Sequence, residues 1–155
     1  MSEINDPETI VRLLRGAKVW AVVGLSNNQS RDAYRIAELL QRKGKRIVPV
    51  HPSAQTVLGE QGYATLADAS AAQGPLDVVD VFVNSGLAGE VADDAIALGV
   101  GAVWFQLGVV DTDAADRVAA AGHDMVMDRC PAIEWSLLLE DPTTPTEGSQ
   151  PQAAS

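Results

Sequence analysis

The sequence is poor in cysteine, in basic residues and in long apolar runs, and each scarcity excludes a class of protein. The single cysteine, Cys130, excludes an intramolecular disulfide framework and a cysteine-based zinc cluster. The 11 Lys and Arg residues face 21 Asp and Glu residues, for a net charge of −10, which argues against nucleic-acid and anionic-membrane partners. Without a membrane-spanning run or a signal-peptide pattern, we expect a cytoplasmic protein.

The 155 residues suffice for one domain with its own core. Residues 1–6 are predicted to be disordered. The segment 141–155 consists mainly of Pro, Thr, Gln, Ser and Ala, has almost no large apolar residue, and is predicted to form a disordered tail. The folded domain is therefore expected to span residues 7–140.

Short apolar runs alternate with amphipathic helical segments along this domain. The runs at 19–23, 46–50, 78–83, 102–105 and 124–127 are predicted to be strands. Alternating strands and helices indicate an α/β fold with a Rossmann-like, doubly wound, five-stranded parallel sheet between two helical layers. We predict the strand order 3-2-1-4-5. In the helix after the third strand, Leu87, Val91, Ala95 and Leu98 are predicted to share one face.

The first strand ends at Gly24 and passes through a polar loop into a helix, for which Ser30 is a suitable N-cap. Free backbone N–H groups and the positive end of the helix dipole would point into this loop. The segment therefore predicts an anion site suited to a phosphate. Arg31 and Arg35 follow at helical spacing and add positive charge.

The loop lacks the dinucleotide fingerprint. A Rossmann NAD site has the pattern G-x-G-x-x-G and an acidic residue at the end of the second strand. Here only Gly24 of the three glycines is present, and the second strand runs into His51 and Pro52 without a carboxylate. NAD is therefore disfavoured, and a sensor or regulatory partner protein that binds NAD(H) or an adenine nucleotide is the alternative function.

Ligands of doubly wound sheets bind at the carboxyl ends of the strands. The polar residues at the predicted strand exits lie at 27–31, His51, 84–85, 106–108 and 128–130. We expect these residues to converge on one ligand.

Six ordered blocks at these exits resemble a known family. They read VVGLS at 22–26 followed by SR at 30–31, YR at 34–35, IVPVHP at 47–52, VDVF at 79–82, FQLGV at 105–109 and MDRCP at 127–131. With them the chain resembles the stand-alone CoA-binding domain proteins, which are similar to the CoA-binding N-terminal domain of the succinyl-CoA synthetase alpha subunit. The resemblance covers about residues 8–138.

The resemblance implies that the ligand is coenzyme A or an acyl-CoA. The 24–31 loop would hold the CoA phosphates, and the His51-Pro52 exit would border the adenosine. The 82–85 exit would flank the nucleotide, and 106–108 would face the pantetheine arm. The predicted ligand contacts are Gly24, Leu25, Ser26, Asn28, Ser30, Arg31, Tyr34, His51, Pro52, Phe82, Asn84, Gln106, Leu107, Gly108, Arg129 and Cys130.

The chain departs from the family pattern at several of these exits. Val83 and Gly86 stand where family members often carry an arginine and an acid. His51 replaces the asparagine of an Asn-Pro pair, and Ala132 replaces a lysine that often follows Cys-Pro. These losses of charge bear on affinity and phosphate preference rather than on the fold.

Catalysis is not expected. The synthetase that the chain resembles also needs a phosphohistidine domain and a grasp-type partner, and we expect this chain to carry neither. No Ser-His-Asp order, metal-ligand cluster or Walker loop appears, so no catalytic or metal-binding residue is predicted. An enzyme that uses Cys130 beside a bound thioester, with Asp128 and Arg129, is a third hypothesis. The protein is expected to be a monomer or homodimer.

Overall fold

The computed structural model describes residues 3–140, and the predicted tail at 141–155 lies outside the described residues. Strands and helices alternate throughout this range. The strands are β1 (Val19–Val23), β2 (Arg46–Val50), β3 (Val78–Val81), β4 (Ala102–Gln106) and β5 (Asp124–Arg129). The helices are α1 (Pro7–Gly16), α2 (Asp32–Arg42), α3 (Leu66–Gln73), α4 (Ser85–Leu98), α5 (Thr112–Ala120) and α6 (Pro131–Leu138).

The strands form one parallel sheet in the order β2-β1-β3-β4-β5. The predicted five-stranded parallel sheet is confirmed, but the predicted order 3-2-1-4-5 is wrong, because β3 lies between β1 and β4. Pro49 explains the position of β2, since proline has no N–H for a ladder and is confined to edge strands. Beyond β2 the described chain adds only an isolated bridge between Val50 and Tyr63. All four residues of β3 are buried, as a central parallel strand requires.

Helices cover both faces of the sheet and give three layers. One face packs against α1, α2 and α6, and its core contains Trp20, Trp104 and Leu40. The other face packs against α3, α4 and α5. The longest described helix, α4, has 14 residues, and within residues 3–140 no helix has the length and apolar character to cross a membrane.

The buried face of α4 differs from the apolar face predicted for it. Alanines at 88, 92 and 95 are fully buried against the sheet, whereas Leu87 is 50% exposed and Leu98 is 37% exposed. Small side chains let a helix lie close to a sheet, so the alanine stripe sets the orientation and turns Leu87 and Val91 sideways. This rotation places one side of α4 at the carboxyl ends of the strands.

Residues 3–6, for which disorder was predicted, are held against β5. The Asn5 side chain accepts a hydrogen bond from Met127 N at 2.7 Å and donates one to Met127 O at 3.0 Å. The Asp6 carboxylate then caps α1 by accepting from Thr9 N at 3.2 Å. The structure differs from the prediction here because one asparagine pairs with a strand, which composition does not reveal.

The start of α2 also differs from the prediction. Arg31 rather than Ser30 occupies the N-cap position, and no side chain caps this helix. Ser30 instead contributes to the preceding turn, where its N–H and hydroxyl donate to Asn28 Oδ1 at 3.1 and 2.6 Å. The first turn of α2 therefore keeps unsatisfied backbone N–H groups.

Asp80 lies in the middle of β3 with its carboxyl group in the core. The residue is 0% exposed, and neither carboxyl oxygen has a hydrogen-bond partner among the described residues. Desolvation by burial raises the pKa of Asp80 well above its usual range. The folded protein therefore favours the neutral acid at this position.

Replacing Asp80 with asparagine is expected to change how stability depends on pH. The folded state binds the Asp80 proton more tightly than the unfolded chain, whose pKa is near 3.8, so wild-type stability falls as the pH rises from that value towards the raised folded pKa. Asp80→Asn has no proton to lose at this position. Its free energy of unfolding should therefore rise relative to that of wild type as the pH increases. Urea unfolding at a series of pH values between about 4 and 8 measures this difference. A difference that is constant with pH contradicts the assignment.

Candidate functional site

A cavity of 1110 Å³ opens at the carboxyl ends of the strands. The residues that follow β1, β2, β3 and β4 line it, together with the first turns of α2 and α3 and one side of α4. In the observed strand order the chain winds in opposite directions from the boundary between β1 and β3. Doubly wound sheets bind ligands in the crevice at such a boundary. The volume exceeds the ~300–1,000 Å³ of common small-ligand pockets and suits an extended ligand.

Gly24 brings the exits of β1 and β3 together at the centre of this cavity. Its N–H donates to Val50 O at 2.8 Å, and its φ of +102° lies in the region that favours glycine. A Cβ at this position would lie 3.2 Å from Phe82 Cβ. The close approach of the two backbones therefore depends on the missing side chain.

The loop between β1 and α2 is fixed by amide side chains. Asn27 N donates to Gln55 Oε1 at 3.0 Å, and Asn27 Nδ2 donates to Thr56 O at 2.9 Å. Asn28 Oδ1 holds Ser30, as described above. These contacts connect the loop to the segment after β2 and give the cavity a preformed wall.

The two helices that open onto the cavity at β1 and β3 both lack a side-chain cap. Arg31 of α2 and Asn84 of α4 occupy N-cap positions without a capping hydrogen bond, and both line the cavity. In α1, α3 and α5 a side chain accepts a backbone N–H, and α6, also without a side-chain cap, begins with a proline. The first turns of α2 and α4 thus keep backbone donors for an anion in the cavity.

Charge is unevenly distributed around the cavity. Among the lysines and arginines of residues 3–140, Arg31 alone lines the cavity. No carboxylate in this range pairs with Arg31. Arg35, the other predicted cation, instead pairs with Asp32 on the same helix and donates to Ser30 O. Glu90 and Asp94 of α4 supply carboxylates to the opposite wall. Asp32 of α2 also lines the cavity, and its carboxylate pairs with Arg35. Arg31 is therefore the lining cation that no described carboxylate neutralises.

His51 lines the cavity but serves the turn after β2. Its Nδ1 accepts from Ser53 N at 3.1 Å and lies 2.8 Å from Ser53 Oγ, while His51 N donates to Tyr63 O at 3.0 Å. The ring is thereby oriented by its own turn.

Among the described residues, no three His, Cys, Asp or Glu side chains form a group suited to a metal ion.

A hydrogen-bonded connection closes the cavity on the β4 side. Asp128, a non-glycine residue with φ of +62°, accepts from Gly108 N at 2.7 Å. Ser85 Oγ accepts from Val110 N at 2.9 Å and so joins the start of α4 to the loop after β4. Asp128 occupies the β-bulge between β4 and β5, where the register shifts. Leu107, held between these contacts, is 56% exposed at the cavity wall.

Most of the predicted contact residues come together at the cavity, and the others lie elsewhere. Those that line it are Gly24, Ser30, Arg31, His51, Pro52, Phe82, Asn84, Gln106, Leu107 and Gly108. Those that do not line it are Leu25, Ser26, Asn28, Tyr34, Arg129 and Cys130. Cys130 packs against the core under α1, α2 and α6, and the Arg129 guanidinium donates to Asp128 O. The role of each residue toward a ligand remains a prediction.

Sequence reasoning missed two walls of the cavity. The first is the start of α3, where Thr65 caps the helix beside Leu66. The second is the side of α4 that carries Leu87, Glu90 and Val91. The spacing of residues 87, 90, 91 and 94 places them on one helical face, which is a signal that the sequence contains.

Comparison with known proteins identifies relatives of this chain. The CoA binding domain family matches residues 18–136. The uncharacterized protein YneT of Bacillus subtilis (strain 168) is 31% identical over 121 residues, which cover 78% of this chain and 87% of that protein. A hypothetical protein from Pyrococcus horikoshii OT3 shares 32% identity with a TM-score of 0.80, covering 87% of this chain and 93% of that one.

A more distant structural neighbour is part of a larger enzyme. The dinucleotide-forming acetyl-coenzyme A synthetase 1 of Ca. Korarchaeum cryptofilum, in its apo form, matches with a TM-score of 0.62 and 22% identity. The match covers 73% of this chain and 26% of that one. At this identity the likeness concerns the fold alone.

Proposed function

The chain belongs to the CoA-binding domain family, and from this premise we propose that it binds coenzyme A or an acyl-CoA in the cavity at the β1/β3 boundary. The observation that carries the proposal is the pair of uncapped helix starts, α2 and α4, which line the same cavity as Gly24. Their free N–H groups suit the phosphate oxygens of such a ligand. The protein acts as a binding protein without catalysis of its own.

The orientation of the ligand follows from the charge distribution. The phosphates lie by the first turns of α2 and α4, on the side of Arg31, since the carboxylates of Glu90 and Asp94 disfavour them further along α4. The adenosine lies towards His51 and Pro52. The pantetheine arm then runs past Phe82 towards the β4 side.

The proposal extends to the form of the ligand, the location and the oligomeric state. The ligand is a free small molecule, the location is the cytoplasm, and the protein is a monomer or homodimer. Cys130 takes no part in thiol chemistry with the ligand, because it packs against the core away from the cavity.

Replacing Arg31 with alanine is expected to weaken CoA binding about tenfold, as the loss of one charge-assisted contact to phosphate predicts. The control is Arg42→Ala, because Arg42 lies at the C-terminal end of the same helix and does not line the cavity. This variant should keep an affinity within about twofold of wild type. Equal losses in both variants contradict the placement of the phosphates.

A thermal-shift series with CoA, acetyl-CoA, ATP, NAD and NADH tests the ligand class. A ligand present at 100 times its dissociation constant stabilises the native state by about 2.7 kcal/mol, which is readily detected. We expect CoA and acetyl-CoA to stabilise wild type and to stabilise Arg31→Ala less. Stabilisation by NAD or NADH alone would replace the proposal with a nucleotide sensor.

A further inference from the structure

We propose that Asp80 positions the Gln106 side chain for the ligand by donating a hydrogen bond from its carboxylic acid to Gln106 Oε1. The amide then presents both Nε2 hydrogens to an acceptor oxygen of the bound molecule. The inference rests on the proposed function, because the acceptor is a carbonyl oxygen of the pantetheine arm or of the thioester.

The starting observation is a set of buried oxygens that lack partners. Asp80 is 0% exposed and Gln106 is 6% exposed. Asp80 Oδ1, Asp80 Oδ2 and Gln106 Oε1 are the buried side-chain polar atoms without a hydrogen bond in residues 3–140. A buried acceptor without a donor costs about 1–3 kcal/mol, so such groups are normally paired.

The register of the sheet puts Asp80 and Gln106 on the same face of two neighbouring strands. Asp80 pairs in register with Trp104 on the neighbouring strand, and Gln106 follows Trp104 by two residues. Side chains alternate along a strand, so Trp104 and Gln106 point to the same face as Asp80. Diagonal neighbours on adjacent strands remain within reach of long side chains.

The β-bulge does not disturb this arrangement. The extra residue, Asp128, belongs to β5, and β4 keeps its regular alternation through Gln106. The contact between β3 and β4 is therefore the ordinary one for parallel strands.

A single proton on Asp80 pairs two of these three oxygens. With Asp80 ionised, all three oxygens are acceptors, so only Gln106 Nε2 can donate to the carboxylate, and the amide must then turn its Oε1 towards the cavity. With Asp80 neutral, its O–H becomes a donor and Gln106 Oε1 accepts it. Burial favours this form, since it raises the pKa of Asp80 and no described Lys or Arg pairs with the carboxyl group.

The consequence reaches the cavity because Gln106 lines it beside Leu107 and Gly108. An amide can present either its oxygen or its NH₂ group to a ligand. Fixing Oε1 towards the core leaves the NH₂ group for the cavity. Asp80 thus acts as a positioning residue that selects a donor at this wall.

Three variants test the pairing through CoA affinity, measured by calorimetry on variants whose circular dichroism matches wild type. Asp80→Asn retains a donor towards Gln106 and should bind CoA within about twofold of wild type, whereas Asp80→Leu should bind about tenfold more weakly. In a Gln106→Met background, Asp80→Leu should cause less than about a twofold further change. Equal losses in both backgrounds overturn the proposal.

Infrared spectroscopy tests the pairing without a ligand and also covers the case in which Asp80→Leu does not fold. At neutral pH, wild type should show the C=O stretch of a buried carboxylic acid that Asp80→Asn lacks and that Gln106→Met shifts. A carboxylate at position 80 overturns the inference. If Gln106→Met leaves the acid band unshifted, the pairing is overturned. If the band is present and shifts in Gln106→Met but wild type binds no CoA, the pairing stands and the proposed function fails.

Discussion

Replacing Trp104 with alanine is expected to lower the free energy of unfolding by about 3–5 kcal/mol, as for other large core residues. Trp104 is fully buried on the central part of the sheet, and its ring lies 5.7 Å from that of Trp20. The indole N–H also donates to Arg129 O at 2.9 Å, beside the bulge of β5. The truncation therefore leaves a cavity, removes an aromatic contact and frees a backbone carbonyl.

Urea unfolding followed by tryptophan fluorescence and circular dichroism measures this loss. Trp135→Ala is the matched control, because Trp135 is only partly buried and contacts Lys43 at 4.9 Å from the ring centre. The control should lose clearly less stability, about 1–2 kcal/mol. Equal losses at positions 104 and 135 contradict the account of the core.

Replacing Gly24 with alanine is expected to destabilise the fold by about 2–4 kcal/mol and to weaken CoA binding. A side chain at a positive φ costs about 1–2 kcal/mol, and forcing a methyl group into a packed contact adds about 1–3 kcal/mol. The new Cβ would lie 3.2 Å from Phe82 Cβ, so the exits of β1 and β3 must separate. That separation distorts the centre of the cavity.

Gly44→Ala separates the two contributions to this effect. Gly44 has a φ of +87°, and a Cβ there would meet nothing within 4 Å. It should therefore cost only about 1–2 kcal/mol and leave CoA affinity unchanged. Urea unfolding and calorimetric titration of both variants measure the comparison. Equal destabilisation of the two variants shows that the contact with Phe82 carries no cost.

The alternation of strands and helices could be predicted because each element carries its own periodicity. The strand order could not be predicted from periodicity alone, since apolar runs do not specify their neighbours. Pro49 is the residue that indicates where the second strand lies in the sheet, because a proline favours an edge position. The order 3-2-1-4-5 would have placed that proline inside the sheet.

The candidate site was predicted where it follows from strand exits and missed where it follows from packing. Gly24, Phe82 and Gln106 come together because the carboxyl ends of parallel strands share one edge. The α4 wall depends on how the helix rotates, and buried alanines decided that rotation against the larger Leu87. Whether the Asp80 carboxyl group is buried without a partner depends on tertiary packing. The sequence of a four-residue strand does not show this.

The most direct test of the account is calorimetric titration of CoA into folded protein that has been freed of carried-over ligand, with NADH titrated in parallel. We predict saturable binding of CoA, weakened about tenfold by Arg31→Ala, and no binding of NADH. Folded protein that binds no CoA contradicts the central claim, as does binding that Arg31→Ala leaves unchanged.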